Sequence, residues 1–174
     1  MKDKFRVSVV IPVLNDAVST KEVISSLNQQ AFLPSEIILV DSSENNEVET
    51  LVKDLDSRVP VVYKRIGQAF PYEATNRGAE LANYEWLAFL DVTTIPKRTW
   101  LKDYIEIIKN TDKEVIFGVT QYVANTRFQK VLRASTYGAI GHETAPGSLM
   151  KKKDFIDSGK IIEGVRSGGD IEWR

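Results

Sequence analysis

The sequence has no cysteine and a single histidine, and its 23 Lys and Arg are offset by 24 Asp and Glu, leaving a formal net charge of −1. Each shortage removes a class of chemistry. Without cysteine there is no disulfide framework and no thiolate nucleophile or metal ligand, which fits a reducing, cytoplasmic setting. Near-neutral charge gives no electrostatic footprint for nucleic acid or for an anionic membrane. No apolar run approaches the ~20 residues of a bilayer-spanning helix. The opening Met1-Lys2-Asp3-Lys4 leads directly into a strand pattern, with no signal-peptide core. Repeats, low-complexity tracts and internal linkers are also lacking, so the expectation is one domain over residues 1–174.

What is present is an ordinary soluble balance, 43% hydrophobic and 27% charged, on a chain long enough to bury most of its apolar surface. The most informative stretch is Trp86-Leu87-Ala88-Phe89-Leu90-Asp91, an unbroken apolar run that stops at a carboxylate. A short run of this kind reads as a strand buried on both faces. Glu36-Ile37-Ile38-Leu39-Val40-Asp41 repeats the pattern and also ends on Asp. In open α/β sheets the ligand crevice lies at the carboxyl ends of the strands. Two buried strands would then each deliver a carboxylate to that edge.

The remaining chain alternates strand and helix patterns. Val7-Ser8-Val9-Val10-Ile11 reads as a strand stopped by Pro12. Ser19 and Glu22 have the spacing of a capping box, opening a helix with Val23, Ile24 and Leu27 inward. Val48, Leu51, Val52 and Leu55 recur at helical spacing. Val61-Val62-Tyr63 is a third strand, and Pro71 suits the first turn of a helix over residues 74–82, with tight packing at Gly78. Leu101, Tyr104, Ile105 and Ile108 mark another helix before a strand at Val115-Ile116-Phe117-Gly118-Val119. Further on, Phe128, Val131 and Leu132 suggest a helix, residues 138–147 a loop, and Ser148-Leu149-Met150 a short returning strand. This alternation is that of an α/β protein with a mostly parallel sheet between helical layers.

Five segments, in order over essentially the whole chain, resemble the motifs of family 2 glycosyltransferases. They are Val9-Val10-Ile11-Pro12-Val13-Leu14-Asn15, Glu36 to Ser43, Ala74-Thr75-Asn76-Arg77-Gly78, Trp86 to Asp91, and Gly168-Gly169-Asp170-Ile171-Glu172-Trp173-Arg174. The resemblance implies a three-layer, Rossmann-like glycosyltransferase A-type fold and an inverting transfer from a nucleotide-diphosphate-sugar donor to a saccharide or lipid-linked acceptor hydroxyl. It divides the chain into a nucleotide-binding half, 1–123, and the start of an acceptor half, 124–174. The chain is expected to be the front part of a longer protein, which would meet the cytoplasmic face of a membrane only through residues beyond Arg174. Polysaccharide synthesis for a cell envelope is the implied setting.

By that resemblance Pro12, Val13, Asn15 and Asn76 line the donor pocket, Asp41 contacts the base, and Asp91 touches the ribose and the metal region. Asp170 matches the general base that deprotonates the acceptor hydroxyl, and Trp173 and Arg174 lie beside the acceptor or the diphosphate. The departures matter. Thr75 stands where relatives often carry Arg, and Gly169 where Glu is common. Thr93 replaces the second carboxylate of the Asp-x-Asp motif, and a neutral hydroxyl is a poor ligand for a hard dication. A bound Mn²⁺ or Mg²⁺ is therefore expected to be weakly held, unnecessary, or helped by another ligand such as His142.

Each residue also has a purely structural use. Asp41 and Asp91 suit turns after strands, Asp170 an ordinary loop, His142 a surface position, Trp100 the core, Asn76 and Arg77 a helix cap, and Lys151-Lys152-Lys153 a solvated face. Two other functions remain open: a non-catalytic nucleotide-sugar-binding module, kept alive by Thr93, and a nucleotidyltransferase. Against the latter, the loop Pro12-Val13-Leu14-Asn15-Asp16 has neither the glycines nor the basic residue of a phosphate loop.

Overall fold

The computed structural model describes residues 5–136, 138–165 and 168. Four parallel strands, β1 (Val7–Val13), β2 (Glu36–Asp41), β3 (Val61–Arg65) and β4 (Trp86–Phe89), are joined by α1 (Ala17–Asn28), α2 (Glu47–Lys53) and α3 (Pro71–Leu81). After α4 (Trp100–Asn110) come β5 (Val115–Thr120), α5 (Arg127–Ser135), β6 (His142–Lys151) and α6 (Lys152–Asp157). The sheet order is β3-β2-β1-β4-β6-β5, with β6 antiparallel to both β4 and β5. The mostly parallel sheet is as expected.

Side-chain alternation sorts the core into two layers. Val9, Ile11, Ile37 and Leu39 pack against Val23, Ile24 and Leu27 of α1 and Leu101, Ile105 and Ile108 of α4. Val10, Ile38, Val40, Leu87 and Phe89 face Ala74 and Ala79 of α3 and Phe155 of α6. Every residue of β2 and β4 is buried. Full burial of each such Val, Leu or Ile is worth roughly 1.5–3 kcal/mol, which makes these strands the anchor of the domain. At the amino edge the buried Glu36 carboxylate is satisfied by the Ser8 hydroxyl at 2.7 Å and by the Asn83 backbone N–H and amide at 2.7 and 2.9 Å. Those bonds fix the turn that feeds β4.

Three local expectations need correction. β1 does not stop at Pro12 but runs to Val13, with Pro12 in register with Val40. The Val10 carbonyl accepts from Leu90 N–H on the β4 side, and two residues later Pro12 faces the same way, beyond Phe89, the last β4 residue in register with β1. Its missing N–H has no strand to serve. The cap of α1 is Asp16, whose carboxylate accepts from Ser19 N–H at 2.9 Å, so Ser19 lies inside the helix. Residues 142–147 are not loop: β6 begins at His142, ten residues long. A Gly118 backbone pressed against Pro146 and Gly147 makes this pairing possible, and the Ser148 hydroxyl accepts the Gly118 N–H at 2.9 Å. The helix expected from Phe128, Val131 and Leu132 is present as α5, and none of its residues is buried.

Glycine size is decisive at two contacts. A Cβ on Gly78 would lie 2.4 Å from Val10 Cγ1, and one on Gly118 would lie 2.3 Å from the Pro146 carbonyl oxygen. Gly78→Ala should destabilise by about 1–2 kcal/mol, because the overpacking cost exceeds the helix-propensity gain of about 1 kcal/mol. Gly118→Ala should cost more, since backbone rather than a side chain must move. Urea unfolding at unchanged m checks both; an unaltered midpoint for Gly118→Ala would contradict the contact.

Candidate functional site

The chain leaves β1 toward β2 on one side and returns through α3 to β4 on the other. The carboxyl ends of β1 and β4 are thus the topological switch point of the sheet, where a crevice must open. Asp91 lies two residues past the end of β4 and is exposed there, its carbonyl accepting the Thr94 N–H at 2.9 Å in a tight turn. A cleft at this edge is lined by Pro71, Tyr72 and Thr75 of α3, Phe89 to Asp91, Ala145 and Pro146 of β6, and Ile161. Four elements distant in sequence meet at one carboxylate.

On the other side of β1 the loops are laced together. Ser42 donates its N–H and hydroxyl to the Val13 carbonyl at 2.9 and 3.1 Å. Asn15 adopts a left-handed backbone, φ 51°, which Asn tolerates better than most residues. Its N–H reaches Ser43 Oγ at 2.7 Å and its side-chain oxygen accepts the Glu44 N–H at 3.3 Å. Pro12, Val13 and Asn15 therefore form one wall with the end of β2.

Asp41 is fully buried at that wall. A buried carboxylate is tolerated only with good partners, and it has them: Oδ1 accepts the Ser43 N–H at 2.9 Å and Oδ2 the Tyr63 hydroxyl at 2.7 Å. Burial, and then the bond to Asp41, push the Tyr63 hydroxyl well above the ordinary tyrosine range, so it stays a donor. Beside it, Arg65 donates to the carbonyls of Ser43, Glu44 and Asn45 at 3.0–3.2 Å and to the Asn46 side chain. Neither Tyr63 nor Arg65 carries a local sequence signal of a site residue. Only the β2–β3 register, which sets Arg65 opposite Asp41 and Tyr63 opposite Leu39, shows that both reach the end of β2.

The α3 residues turn out to hold structure. Thr75 Oγ1 donates to the Pro71 carbonyl at 2.9 Å. Asn76 is buried, its amide donating to the Ile161 carbonyl at 2.8 Å and to Glu163 at 3.0 Å while its oxygen accepts the Ile161 N–H at 3.1 Å. Glu73 accepts the Gly164 N–H at 3.2 Å. Together they pin residues 161–164 to the helix that borders Asp91. Asp170, Trp173 and Arg174 lie outside the described residues.

Two other positions also hold structure. Trp100 is buried and donates from its indole to the Gly147 carbonyl at 2.9 Å. Lys152 caps the end of α3 through the Glu80 and Ala82 carbonyls at 3.0 and 2.8 Å, so it is more than solvated charge. His142 pairs with Thr120 at the outer end of β6. Among the described residues no group of three or more His, Asp or Glu side chains is assembled around a cation. The donor set at the switch point is the Asp91 carboxylate with the exposed Thr93 near it in sequence. That set fits a cation sharing its shell with water and phosphate oxygens, not one caged by protein.

Comparison with known proteins bears on this geometry. The model of Glycosyl transferase family 2 matches residues 8–164. Chondroitin synthase of Escherichia coli is 26% identical over 96% of this chain and 24% of its own length, and glycosyltransferase AglE of Haloferax volcanii 24% identical over 96% and 59%. The chain thus spans between about a quarter and three fifths of these relatives. Among solved structures, S. aureus TarS in complex with UDP superposes with a TM-score of 0.75 at 17% identity, covering 97% of this chain and 54% of that one. Mannosyltransferase PcManGT from Pyrobaculum calidifontis, in complex with GDP-Man and Mn²⁺, gives 0.66 at 19%, covering 96% and 50%. The three-layer sheet is the glycosyltransferase A-type fold, its switch point lies within the matched region, and the chain belongs to glycosyl transferase family 2.

Proposed function

We propose that this chain is the donor-binding, catalytic part of an inverting glycosyltransferase that moves a sugar from a nucleotide diphosphate to an acceptor hydroxyl on a saccharide or lipid-linked acceptor, in polysaccharide assembly at the cytoplasmic side of a cell envelope. The observation that carries it is the cleft at the switch point, where the front of α3, the end of β4 with Asp91, β6 and Ile161 meet. Relatives solved with UDP, UDP-GlcNAc or GDP-Man share the fold. The nucleobase is assigned to the wall of Pro12, Val13, Asn15 and Asp41, the ribose and diphosphate to the Asp91 side.

The chemistry follows from what such a bond cleavage needs. Charge grows on the departing diphosphate, and a divalent cation with Asp91 in its shell would neutralise it when bound. Asp170 takes the proton of the attacking hydroxyl. It lies six positions after Gly164, which is held to Glu73 of α3, within a reach of at most about 20 Å of extended chain. Trp173 and Arg174 are assigned to the acceptor or diphosphate. A non-catalytic donor-binding module is the second reading, favoured by Thr93 where a metal-binding carboxylate is usual.

Asp170→Asn should lower transfer by at least about 100-fold while leaving donor affinity within a few fold, the signature of a lost general base. Equal loss of both refutes the assignment, and absent transfer or donor hydrolysis in the unaltered protein favours the binding module. In a thermal-shift panel of nucleoside diphosphates, Mn²⁺ or Mg²⁺ should add only modestly to the stabilisation; a large gain would mean a full cation cage exists. Tyr63→Phe should weaken nucleotide binding by roughly tenfold, about one charged hydrogen bond, with little change in turnover at saturating donor. Unchanged affinity would remove Asp41 from the base pocket.

A further inference from the structure

Between β5 and β6 the chain makes an excursion, residues 121–141, that the fold does not consume. Its helix α5 carries Phe128, Val131 and Leu132 at i, i+3, i+4, one stripe of a helix. Phe128 and Val131 are 71% and 66% exposed, and Tyr122, Val123, Leu132 and Ile140 are also open to solvent. The helix is nevertheless well built. Thr126 and Gln129 form a capping box at its start, and Arg133 donates to the Tyr122 carbonyl at 3.1 Å, tying it to the preceding loop.

The charge of this segment is the second, independent feature. From residue 121 to 141 there are three cations, Arg127, Lys130 and Arg133, and no Asp or Glu. The chain totals −1; taking away these three positive charges leaves −4 on everything else. A near-neutral average therefore hides one basic, apolar protrusion on an otherwise acidic protein. By helical spacing Arg127 flanks the Phe128–Val131–Leu132 stripe and Lys130 and Arg133 fall on the opposite side of α5, the amphipathic arrangement that lets a helix sink its apolar face among acyl chains while long basic residues reach headgroup phosphates.

Position adds a third. β5 ends and β6 begins at the same sheet edge as Asp91, because β5 runs parallel to β4 and β6 against both. A surface lying on α5 would be next to the mouth of the crevice. We propose that residues 121–141 form a docking element for an anionic lipid bilayer, with Phe128, Val131 and Leu132 inserted and Arg127 and Lys130 at the headgroups. The docking requires no assumption about the transfer reaction.

The test is co-sedimentation of the full chain with phosphatidylcholine vesicles, with and without phosphatidylglycerol. Binding is expected only with the anionic lipid, declining as salt screens the attraction. The double variant Phe128→Glu/Val131→Glu, and separately Arg127→Gln/Lys130→Gln, should each weaken it by more than about tenfold. Because these side chains are exposed, melting temperature and nucleotide stabilisation should persist in both variants, so loss of docking is distinguishable from failure of the donor site. Three results would overturn the proposal: no sedimentation with anionic vesicles, binding indifferent to both variants, or a concentration-dependent dimer that Phe128→Glu/Val131→Glu dissociates, which would assign the face to a second copy.

Discussion

The architecture depends on a central group of strands that water does not reach. β1, β2 and β4 lie side by side with helices on both faces, and from Glu36 to Asp41 and from Trp86 to Leu90 every residue is buried. A strand in that position has nowhere to place a solvated polar group except at its ends. Asp41 and Asp91 stand at the carboxyl ends of their strands for that reason, Asp41 buried with partners of its own and Asp91 exposed where the strand order switches beside β1. The crevice is thus a consequence of burying the sheet twice over.

What makes the edge a defined surface is the way its loops are tied. Asp41 cannot be left buried and unpaired, so Ser43 and Tyr63 occupy its oxygens. Arg65 then gathers three successive carbonyls of the following loop. On the opposite wall Asn76 uses both ends of its amide to hold residues 161–163. These bonds are made before any ligand arrives, which lowers the ordering cost that binding would otherwise carry. The same partners mean that Asp41 and Asn76 serve the fold whether or not they also meet a ligand.

The two sheet edges differ in kind. At the amino edge Glu36 closes a compact turn with three short hydrogen bonds. At the carboxyl edge the long excursion between β5 and β6 leaves apolar and basic groups facing outward. Conserving the hydrogen-bonded frame while spending residues on such a protrusion is how an α/β domain separates folding from contact with its surroundings.

The sequence alone determined the strands that are apolar throughout, the helices with a clean 3.6-residue stripe, and the tight approach at Gly78, because each is written in a local period or a single missing Cβ. The motif order also identified the family and the fold, since those segments are short and consecutive. Tertiary structure decided what depends on pairing between distant segments. Pro12 stays in β1 because β4 ends before it, and β6 starts at His142 because Gly118 lets the two backbones touch. Tyr63 reaches Asp41 only through the β2–β3 register. The spacing on α5 records only that the helix has an apolar face, and which neighbour covers that face is settled by packing in three dimensions.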